Sequence, residues 1–305
     1  MRRTIVYILS TNYAGSHFLS LLLGSNSRAK HLGEVKMLRK YSEEGPFGPD
    51  LRLTRATVLQ GIGPGNIHEA YEIIFSRLSS DITTLIDASK TVRWAEEFLD
   101  DERYDKKYIH LIRDPRALVR RYALNSYFRR VWRHRWRAFK AIPQLRTRIF
   151  FAAEPYVGSY HWLIKNQMIT RFLKDHQLEH TIVTYRDLAV NTAAEVQRLM
   201  EWLKLSYEPA QLEYWNFDHI GTQKRAYEWV KEKKAQFIDL RWQSEVPAEV
   251  QRNIREDRCI GEYLSSLGLM FAENGLTRKG ESSASASSAA TARAAHGAAK
   301  AARGT

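Results

Sequence analysis

The sequence predicts an α/β fold, in which a central parallel sheet is flanked by helices. Three observations lead to this prediction. Short apolar runs rich in β-branched residues alternate with longer helical patterns, which is typical of parallel sheets with crossover helices. Hydrophobic residues make up 44% of the 305 residues, so the chain can bury a large core. No apolar run reaches the ~18 residues that a membrane span needs.

The predicted strands are short apolar runs, and a helical pattern follows each of them. Gly24 closes the first helix, and Pro143 interrupts a long helical stretch. Strands are expected at residues 4–10, 83–87, 107–113 and 180–185. Helices are expected at residues 16–24, 67–80, 92–101, 116–140, 156–176, 192–204 and 247–267. Residues 40–66, rich in Gly, Pro and charge, are predicted to form a loop.

The sequence predicts one domain over residues 1–279, followed by a disordered tail. Residues 280–305 consist mainly of Ser, Ala and Gly with scattered Arg and Lys, a composition that cannot build a core. Cys259 is the one cysteine of the sequence, which excludes a disulfide within it and a cysteine-based metal cluster. A cysteine-poor chain fits a reducing compartment, and we expect a cytoplasmic location.

The chain carries a formal net charge of +13, which attracts anions such as phosphate esters, nucleic acid, acidic glycans and anionic membranes. Its positive residues are concentrated between Pro115 and Ala153, a stretch without Asp or Glu. Phe128, Trp132, Trp136 and Phe139 lie on one helical face of this stretch. We expect this aromatic stripe to pack against the core. An anionic membrane and an acidic acceptor are candidate partners, whereas no known nucleic-acid motif is present.

A candidate anion-binding loop connects the first strand to the first helix. It comprises Thr11, Asn12, Tyr13, Ala14, Gly15, Ser16 and His17. Free backbone N–H groups and the helix dipole favour an anion at the start of a helix, and Gly15 permits close approach. The G-x-x-x-x-G-K-[ST] pattern of nucleoside triphosphatases is absent, which argues against a Mg-dependent kinase or GTPase.

Two segments resemble the donor-binding elements of the sulfotransferases that use 3'-phosphoadenosine 5'-phosphosulfate (PAPS). VYILSTNYAGSHFLSLLL, at residues 6–23, resembles the family's 5'-phosphosulfate loop, although Tyr13 stands where Lys or Arg is usual. YIHLIRDPRALVRRYALNS, at residues 108–126, resembles the 3'-phosphate element. The resemblance implies a P-loop-like sulfotransferase fold. It also implies that loop 11–17 binds the phosphosulfate and that Arg113 and Arg121 bind the 3'-phosphate.

The resemblance also implies catalytic residues. Glu34, in HLGEVKML, matches a Gly-Glu segment whose Glu serves as the base, and His17 and His31 are rival bases. Lys90, in LIDASKTVRW, matches an Asp-x-Ser-Lys segment. It is expected to stabilise the transferring group in place of Tyr13.

Two later segments complete the pattern in the family's order. VTYRDL implies that Tyr185 lies near the adenine. FDHIGTQKRAYEW implies a loop over the 3'-phosphate, with Gln223, Lys224 and Arg225 as candidate ligands.

The expected function is therefore transfer of a sulfuryl group from PAPS to an acceptor hydroxyl, without a metal. Carbohydrates, glycolipids and small phenols are candidate acceptors, and residues 40–66 and the aromatic–basic helix are expected to shape the acceptor pocket. Three alternatives remain open at this point. They are a nucleotide-dependent phosphotransferase, a non-catalytic module that binds nucleic acid or anionic membrane, and a sulfotransferase that binds the donor without catalysis.

Overall fold

The main feature of the structure, a computed structural model, is a five-stranded sheet. The described residues are 2–40, 58–124, 128–143, 146–220, 224–233 and 238–280. The strands are β1 (Thr4–Ser10), β2 (Ala29–Gly33), β3 (Thr84–Lys90), β4 (Asp105–Ile112) and β5 (His180–Thr184). Their order in the sheet is β2-β3-β1-β4-β5.

The sheet is parallel, as predicted. β1 pairs in parallel with β3 on one side and with β4 on the other, and β2 pairs in parallel with β3. The central strands are continuous buried runs because helices cover the sheet. β2 was not predicted, since its sequence AKHLG contains no β-branched residue and it forms an edge of the sheet.

The helices largely follow the predicted pattern. They are α1 (Ser16–Gly24), α2 (Ala70–Ser76), α3 (Val92–Glu96), α4 (Pro115–Leu124), α5 (Phe128–Ala141), α6 (Arg146–Phe151), α7 (Glu154–Asp175), α8 (Tyr185–Val190), α9 (Thr192–Trp202), α10 (Lys224–Lys231), α11 (Trp242–Glu245), α12 (Ala248–Arg255) and α13 (Arg258–Ser266). Short 3-10 segments occupy Val35–Lys40, Ile67–Glu69 and Pro209–Asn216.

Some helical predictions were wrong in extent. The helix predicted at 92–101 ends at Glu96, whereas the stretch predicted at 116–140 contains α4 and α5, with residues 125–127 between them outside the described residues. The stretch predicted at 247–267 divides into α12 and α13, because Asp257 caps α13 by accepting a hydrogen bond from the backbone N–H of Ile260 at 3.2 Å. An antiparallel hairpin, β6 (Leu269–Ala272) and β7 (Gly275–Arg278), was not predicted.

The chain divides into two compact units. The first comprises Met1–Ile112, Ile164–Val183 and Asn191–Phe237, and it contains β1 to β4 and most of β5. The second comprises Arg113–Leu163, Thr184–Val190 and Ile238–Thr305. One domain over residues 1–279 stays a prediction. Most of the predicted loop, residues 41–57, and the tail from residue 281 lie outside the described residues.

Gly24 gives a prediction about stability, because α1 lies very close to β2 at this residue. A Cβ atom at this position would lie 2.3 Å from the backbone nitrogen of His31. Since backbone cannot move aside as a flexible side chain can, Gly24→Ala is expected to lower the free energy of unfolding by about 2–3 kcal/mol. Urea denaturation measures this loss.

The matched control is Gly261→Ala, in α13, where a Cβ atom meets nothing within 4 Å. Because Ala is the better helix former, this variant should be neutral or slightly stabilising. Equal destabilisation of the two variants would contradict the close packing of α1 on β2.

The burial of His110 leads to a prediction of how the free energy of unfolding depends on pH. It lies buried in β4, where neutral His110 donates its Nε2–H to Asn166 Oδ1 at 3.0 Å. Burial lowers the pKa of His110 to about 4. An unfolded histidine titrates near pH ~6.5, so between these two pH values the unfolded chain binds more protons than the folded chain. This contribution to stability is therefore complete above pH ~6.5 and decreases as the pH falls toward 4.

We expect the free energy of unfolding to be lower at pH ~5 than at pH ~7.5. In His110→Gln the glutamine amide can still donate a hydrogen bond but does not titrate. The variant should therefore reduce the pH dependence of the free energy of unfolding by up to about 1.4 kcal/mol per pH unit. Urea denaturation at both pH values provides the measurement. An unchanged pH dependence in the variant would show that His110 does not contribute to it.

Candidate active site

The predicted anion-binding loop connects β1 to α1. Gly15 precedes α1 in a left-handed conformation, with φ of 100°, that suits glycine. Tyr13 also has a left-handed φ, 65°, which is costly for a residue with a side chain. Ala14 and Ser16 are buried, so the loop is held by packing at the start of a nine-residue helix. Strained backbone of this kind is concentrated at functional sites in proteins.

Three predicted catalytic residues lie together beside this loop. Glu34 follows β2, Lys90 ends β3, and His17 is in the first turn of α1. The carboxyl ends of parallel strands meet at one edge of a sheet, which is where such folds bind ligands. The ammonium group of Lys90 donates to Glu34 Oε1, and His17 Nε2 lies 3.3 Å from the same oxygen. Glu34 is 8% exposed.

The charges around Glu34 determine its protonation. Burial would raise the pKa of Glu34, but the hydrogen bond to His17 and the charges of Lys90 and Lys36 outweigh burial and hold the pKa well below its usual range. Lys36 Nζ lies 3.1 Å from Glu34 Oε2. Burial lowers the pKa of Lys90, and Glu34 opposes that change. Glu34 is therefore an ionised carboxylate, and it is a weak proton acceptor while Lys90 and Lys36 lie beside it.

His17 is a second polar group at this carboxylate. Burial lowers the pKa of His17, and the hydrogen bond to Glu34 opposes the change. Neutral His17 can donate Nε2–H to Glu34 or accept at Nε2 from Lys90, whose Nζ is 3.2 Å away. Its Nδ1 is buried without a hydrogen-bond partner in the described part of the chain. The ring thus has unused hydrogen-bonding capacity beside the loop.

His31, the rival base, has a structural position instead. It is fully buried, with Nδ1 in contact with the Ser20 hydroxyl. Its ring lies 5.6 Å from that of His219 between centroids, in an edge-to-face arrangement. Burial lowers the pKa of His31 well below its usual value. The hypothesis that His31 is the base was therefore wrong, because the buried ring has no exposed atom that could contact an acceptor.

Asp87 forms the turn that positions Lys90. Its buried carboxylate accepts hydrogen bonds from Ser89 N at 2.7 Å, Tyr71 Oη at 2.6 Å and Trp94 Nε1 at 2.7 Å. Burial raises the pKa of Asp87, and these donors oppose the change. Lys90 then adopts a left-handed φ of 68° at the end of β3. The Asp-x-Ser-Lys segment therefore fixes the direction of the lysine.

The second unit contains a cluster of arginines around one carboxylate. Arg113 directly follows β4, and its Nη2 lies 3.0 Å from Asp239 Oδ2. Arg121 Nη2 is 3.8 Å from the same oxygen, and Arg241 Nε is 2.7 Å from Oδ1. Burial would raise the pKa of Asp239, but Arg241 and Arg113 hold it well below its usual range. Three guanidinium groups therefore lie around the carboxylate of Asp239.

Two neighbours hold Arg113 in place. Its guanidinium lies 4.2 Å from the centroid of the Tyr185 ring, and Trp162 Nε1 donates to its backbone carbonyl at 2.8 Å. Asp114 pairs with Arg116 at 2.7 Å and accepts from the Arg116 backbone N–H, so it organises the start of α4.

The remaining predicted ligands are only partly described. Tyr185 begins α8, and its hydroxyl accepts a hydrogen bond from the Asp239 backbone N–H at 3.4 Å. Gln223 lies outside the described residues, and Lys224 and Arg225 are the first two residues of α10.

Comparisons with known proteins give the fold a name. No family model and no curated protein matches the sequence. A solved structure, the sulfotransferase domain from the curacin biosynthetic pathway, matches with a TM-score of 0.54 at 20% identity, covering 87% of this chain and 99% of that domain. The chain has the sulfotransferase fold.

Two further structures with lower scores also match. The sulfotransferase domain of the Synechococcus PCC 7002 olefin synthase has a TM-score of 0.48 at 16% identity, covering 83% of this chain and 92% of that one. A sulfotransferase from Alicyclobacillus acidocaldarius has a TM-score of 0.40 at 14% identity, covering 84% and 98%.

The sulfotransferase fold here includes polar groups that sequence reasoning missed. Lys36 and Asp87 flank the Glu34 cluster, and Asp239 pairs with Arg113. The segment LIDASKTVRW contains Asp87, to which no role was assigned, and HLGEVKML contains Lys36, which was considered only as a surface ion-pair partner of Glu34. Asp239 had no sequence signal, because it lies 126 residues from Arg113.

Other features of the sulfotransferase fold bear on ligands. The described ranges contain no cluster of three or more His, Cys, Asp and Glu side chains that could hold a metal ion. Within the same ranges, every helix is too short or too polar to cross a membrane.

The second unit has a cavity of about 680 Å³, lined in part by Phe151, Tyr156, Tyr160 and Asn253. A cavity of this volume can accommodate a small organic molecule.

Proposed function

We propose that this chain transfers a sulfuryl group from PAPS to an acceptor hydroxyl. The observation that carries the proposal is the contact among Glu34, Lys90 and His17 at the carboxyl edge of the sheet, beside the β1–α1 loop. A solved structure with a similar fold is described as a sulfotransferase domain, which supports the same reaction class.

In this proposal the β1–α1 loop binds the 5'-phosphosulfate. Residues 11–17 offer backbone N–H groups at the start of α1, where the helix dipole favours negative charge. Tyr13 cannot supply the cation that the family usually has in this loop. Lys90 Nζ, 3.2 Å from His17 Nε2, places a cation there instead.

The arginine cluster of the second unit binds the 3'-phosphate in this proposal. Arg113 and Arg121 both lie beside the carboxylate of Asp239, and a guanidinium can contact a phosphate through two parallel hydrogen bonds. Tyr185 contacts the adenine, and Gln223, Lys224 and Arg225 cover the phosphate, as the resemblance implies.

The reaction requires positioning, charge stabilisation and a base. The acceptor oxygen attacks sulfur, the bond from sulfur to the bridging phosphate oxygen breaks, and the hydroxyl proton moves to Glu34. 3',5'-adenosine bisphosphate leaves with the bonding electron pair. Lys90 stabilises the negative charge that develops on the bridging oxygen, so no step requires a metal.

In this proposal, binding of the donor makes Glu34 a stronger base than it is in the resting ion pair. Without donor, Lys90 and Lys36 hold its pKa low. An anionic donor shares the ammonium group of Lys90, so the attraction on Glu34 weakens and its pKa rises toward the range of a general base. His17 keeps the carboxylate oriented through Nε2.

The test is an incubation of the full chain with PAPS that is labelled in its sulfate group, together with glycans, glycolipids and small phenols. We expect label to move to at least one acceptor with equal release of 3',5'-adenosine bisphosphate. Binding of the bisphosphate without transfer to any acceptor would indicate a non-catalytic relative. Mg-dependent hydrolysis of ATP, with PAPS left intact, would favour a phosphotransferase.

A further inference from the structure

The aromatic stripe predicted to pack against the core is turned toward solvent. Trp132 and Trp136 of α5 are 56% and 59% exposed, and Phe150 and Phe151 of α6 are 55% and 78% exposed. The expectation of core packing was therefore wrong for Trp132 and Trp136, whereas Phe139 is half-buried. The buried side of this region is formed by small or aliphatic side chains, Ala138, Ile142 and Ile149.

Arg135 joins the two helices that carry these aromatic residues. Its guanidinium donates to the backbone carbonyls of Ile149 at 2.8 Å, Phe150 at 2.6 Å and Ala152 at 2.8 Å. Carbonyls at the end of a helix lack partners within the helix, and a guanidinium satisfies several at once. The two helices that carry Trp132, Trp136, Phe150 and Phe151 are therefore held together by a defined contact. We name these four exposed side chains the aromatic platform.

Cations lie beside the two tryptophans of the aromatic platform. Lys140 lies 5.3 Å from the centroid of the Trp136 ring, and Arg135 lies 5.4 Å from that of Trp132. Arg137, also on α5, is exposed. The sequence has no Asp or Glu from Pro115 to Ala153, so no acidic side chain of this stretch offsets the cations. Exposed apolar patches mark interaction sites, and the charge here selects an anionic partner.

We propose that the aromatic platform docks on the surface of an anionic phospholipid bilayer. Tryptophan and phenylalanine insert into the boundary between headgroups and acyl chains, whereas neighbouring Lys and Arg are attracted to anionic headgroups. α5 carries both residue types over 14 residues, and α6 adds two phenylalanines beside it. This proposal does not rest on the sulfuryl-transfer chemistry.

Vesicle co-sedimentation of the full chain tests the proposal. We expect binding to phosphatidylcholine vesicles that contain about 30% phosphatidylserine, and at least tenfold weaker binding to phosphatidylcholine alone. Raising the salt concentration should weaken binding because it screens the electrostatic attraction. The double variant Trp132→Ala/Trp136→Ala should bind the anionic vesicles at least about tenfold more weakly than the wild type.

Two controls separate docking from loss of structure. Met168→Ala removes another exposed apolar side chain, in α7, and should leave vesicle binding unchanged. The double tryptophan variant should unfold at the same midpoint concentration of urea as the wild type, because the two tryptophan side chains are exposed. Arg137→Gln/Lys140→Gln should reduce binding and its salt dependence while the tryptophans remain.

Three outcomes would overturn the proposal. The first is that the wild type and the double tryptophan variant bind anionic vesicles equally. The second is that duplex DNA binds while vesicles do not, which would assign the cations to nucleic acid. The third is that the wild type self-associates in sedimentation velocity, the tryptophan variant does not, and neither binds vesicles, which would assign the platform to a second copy of the chain.

Discussion

Replacing Glu34 by Gln is expected to lower the rate of sulfuryl transfer by about a thousandfold, while binding of the donor is retained. The amide has nearly the size of the carboxylate, but it cannot take the proton of the acceptor hydroxyl. The effect should therefore appear in kcat more than in the KM for PAPS. It is the largest single effect on activity that the structure predicts.

The same substitution is expected to preserve or strengthen the binding of anions. In the wild type, Glu34 pairs with Lys90 and Lys36 in a site where the carboxylate is 8% exposed. Without the carboxylate, positive charge in the loop region is no longer offset, so an anionic ligand gains attraction. We expect Glu34→Gln to bind 3',5'-adenosine bisphosphate as tightly as the wild type, or more tightly.

Single-turnover transfer and calorimetric titration separate these two effects. Glu201→Gln, at an exposed position of α9, is the matched control and should leave both unchanged. Wild-type turnover by Glu34→Gln would remove Glu34 from the role of base. A fall in donor affinity that parallels the fall in rate would instead assign Glu34 to donor binding.

Replacing Arg113 by Ala is expected to weaken binding of 3',5'-adenosine bisphosphate by about a hundredfold. The expected loss is that of charge-assisted hydrogen bonds between the guanidinium and a phosphate. Arg113→Lys should recover part of the loss, because an ammonium keeps the charge but not the two parallel donors. Asp239 remains paired with Arg241 in both variants, so the variants do not leave it as an unpaired buried charge.

The choice of ligand makes this prediction specific to the 3'-phosphate. Adenosine 5'-monophosphate lacks that group, so its weaker binding should be nearly the same in wild type and Arg113→Ala. Arg258→Ala is the matched control in the second unit, since the Arg258 side chain is 89% exposed. Equal losses for both nucleotides would show that Arg113 supports the site as a whole rather than the 3'-phosphate.

The sequence predicted those parts of the fold that have a continuous local signal. β1, β3 and β4 were predicted because both faces of each are buried, which produces uninterrupted apolar runs. β2 was missed because its five residues include Lys30 and His31, and pairing with β3 rather than composition makes it a strand.

The candidate site was predictable only where adjacent residues form a motif. Glu34, Lys90 and His17 were each found in a short segment, and the structure brings them into contact. Asp239 could not be found in this way, because its partner Arg113 is distant in sequence. The exposure of Trp132 and Trp136 was also beyond sequence reasoning, since periodicity defines a helical face but not what covers it.

The central claim is that this sulfotransferase fold binds the PAPS nucleotide. Calorimetric titration of the full chain with 3',5'-adenosine bisphosphate, with ATP and Mg as a comparison, tests it most directly. We predict one-to-one binding of the bisphosphate in the micromolar range or tighter, independent of Mg and lost in Arg113→Ala. Tighter binding of ATP with Mg than of the bisphosphate, or no binding of the bisphosphate, would contradict the claim.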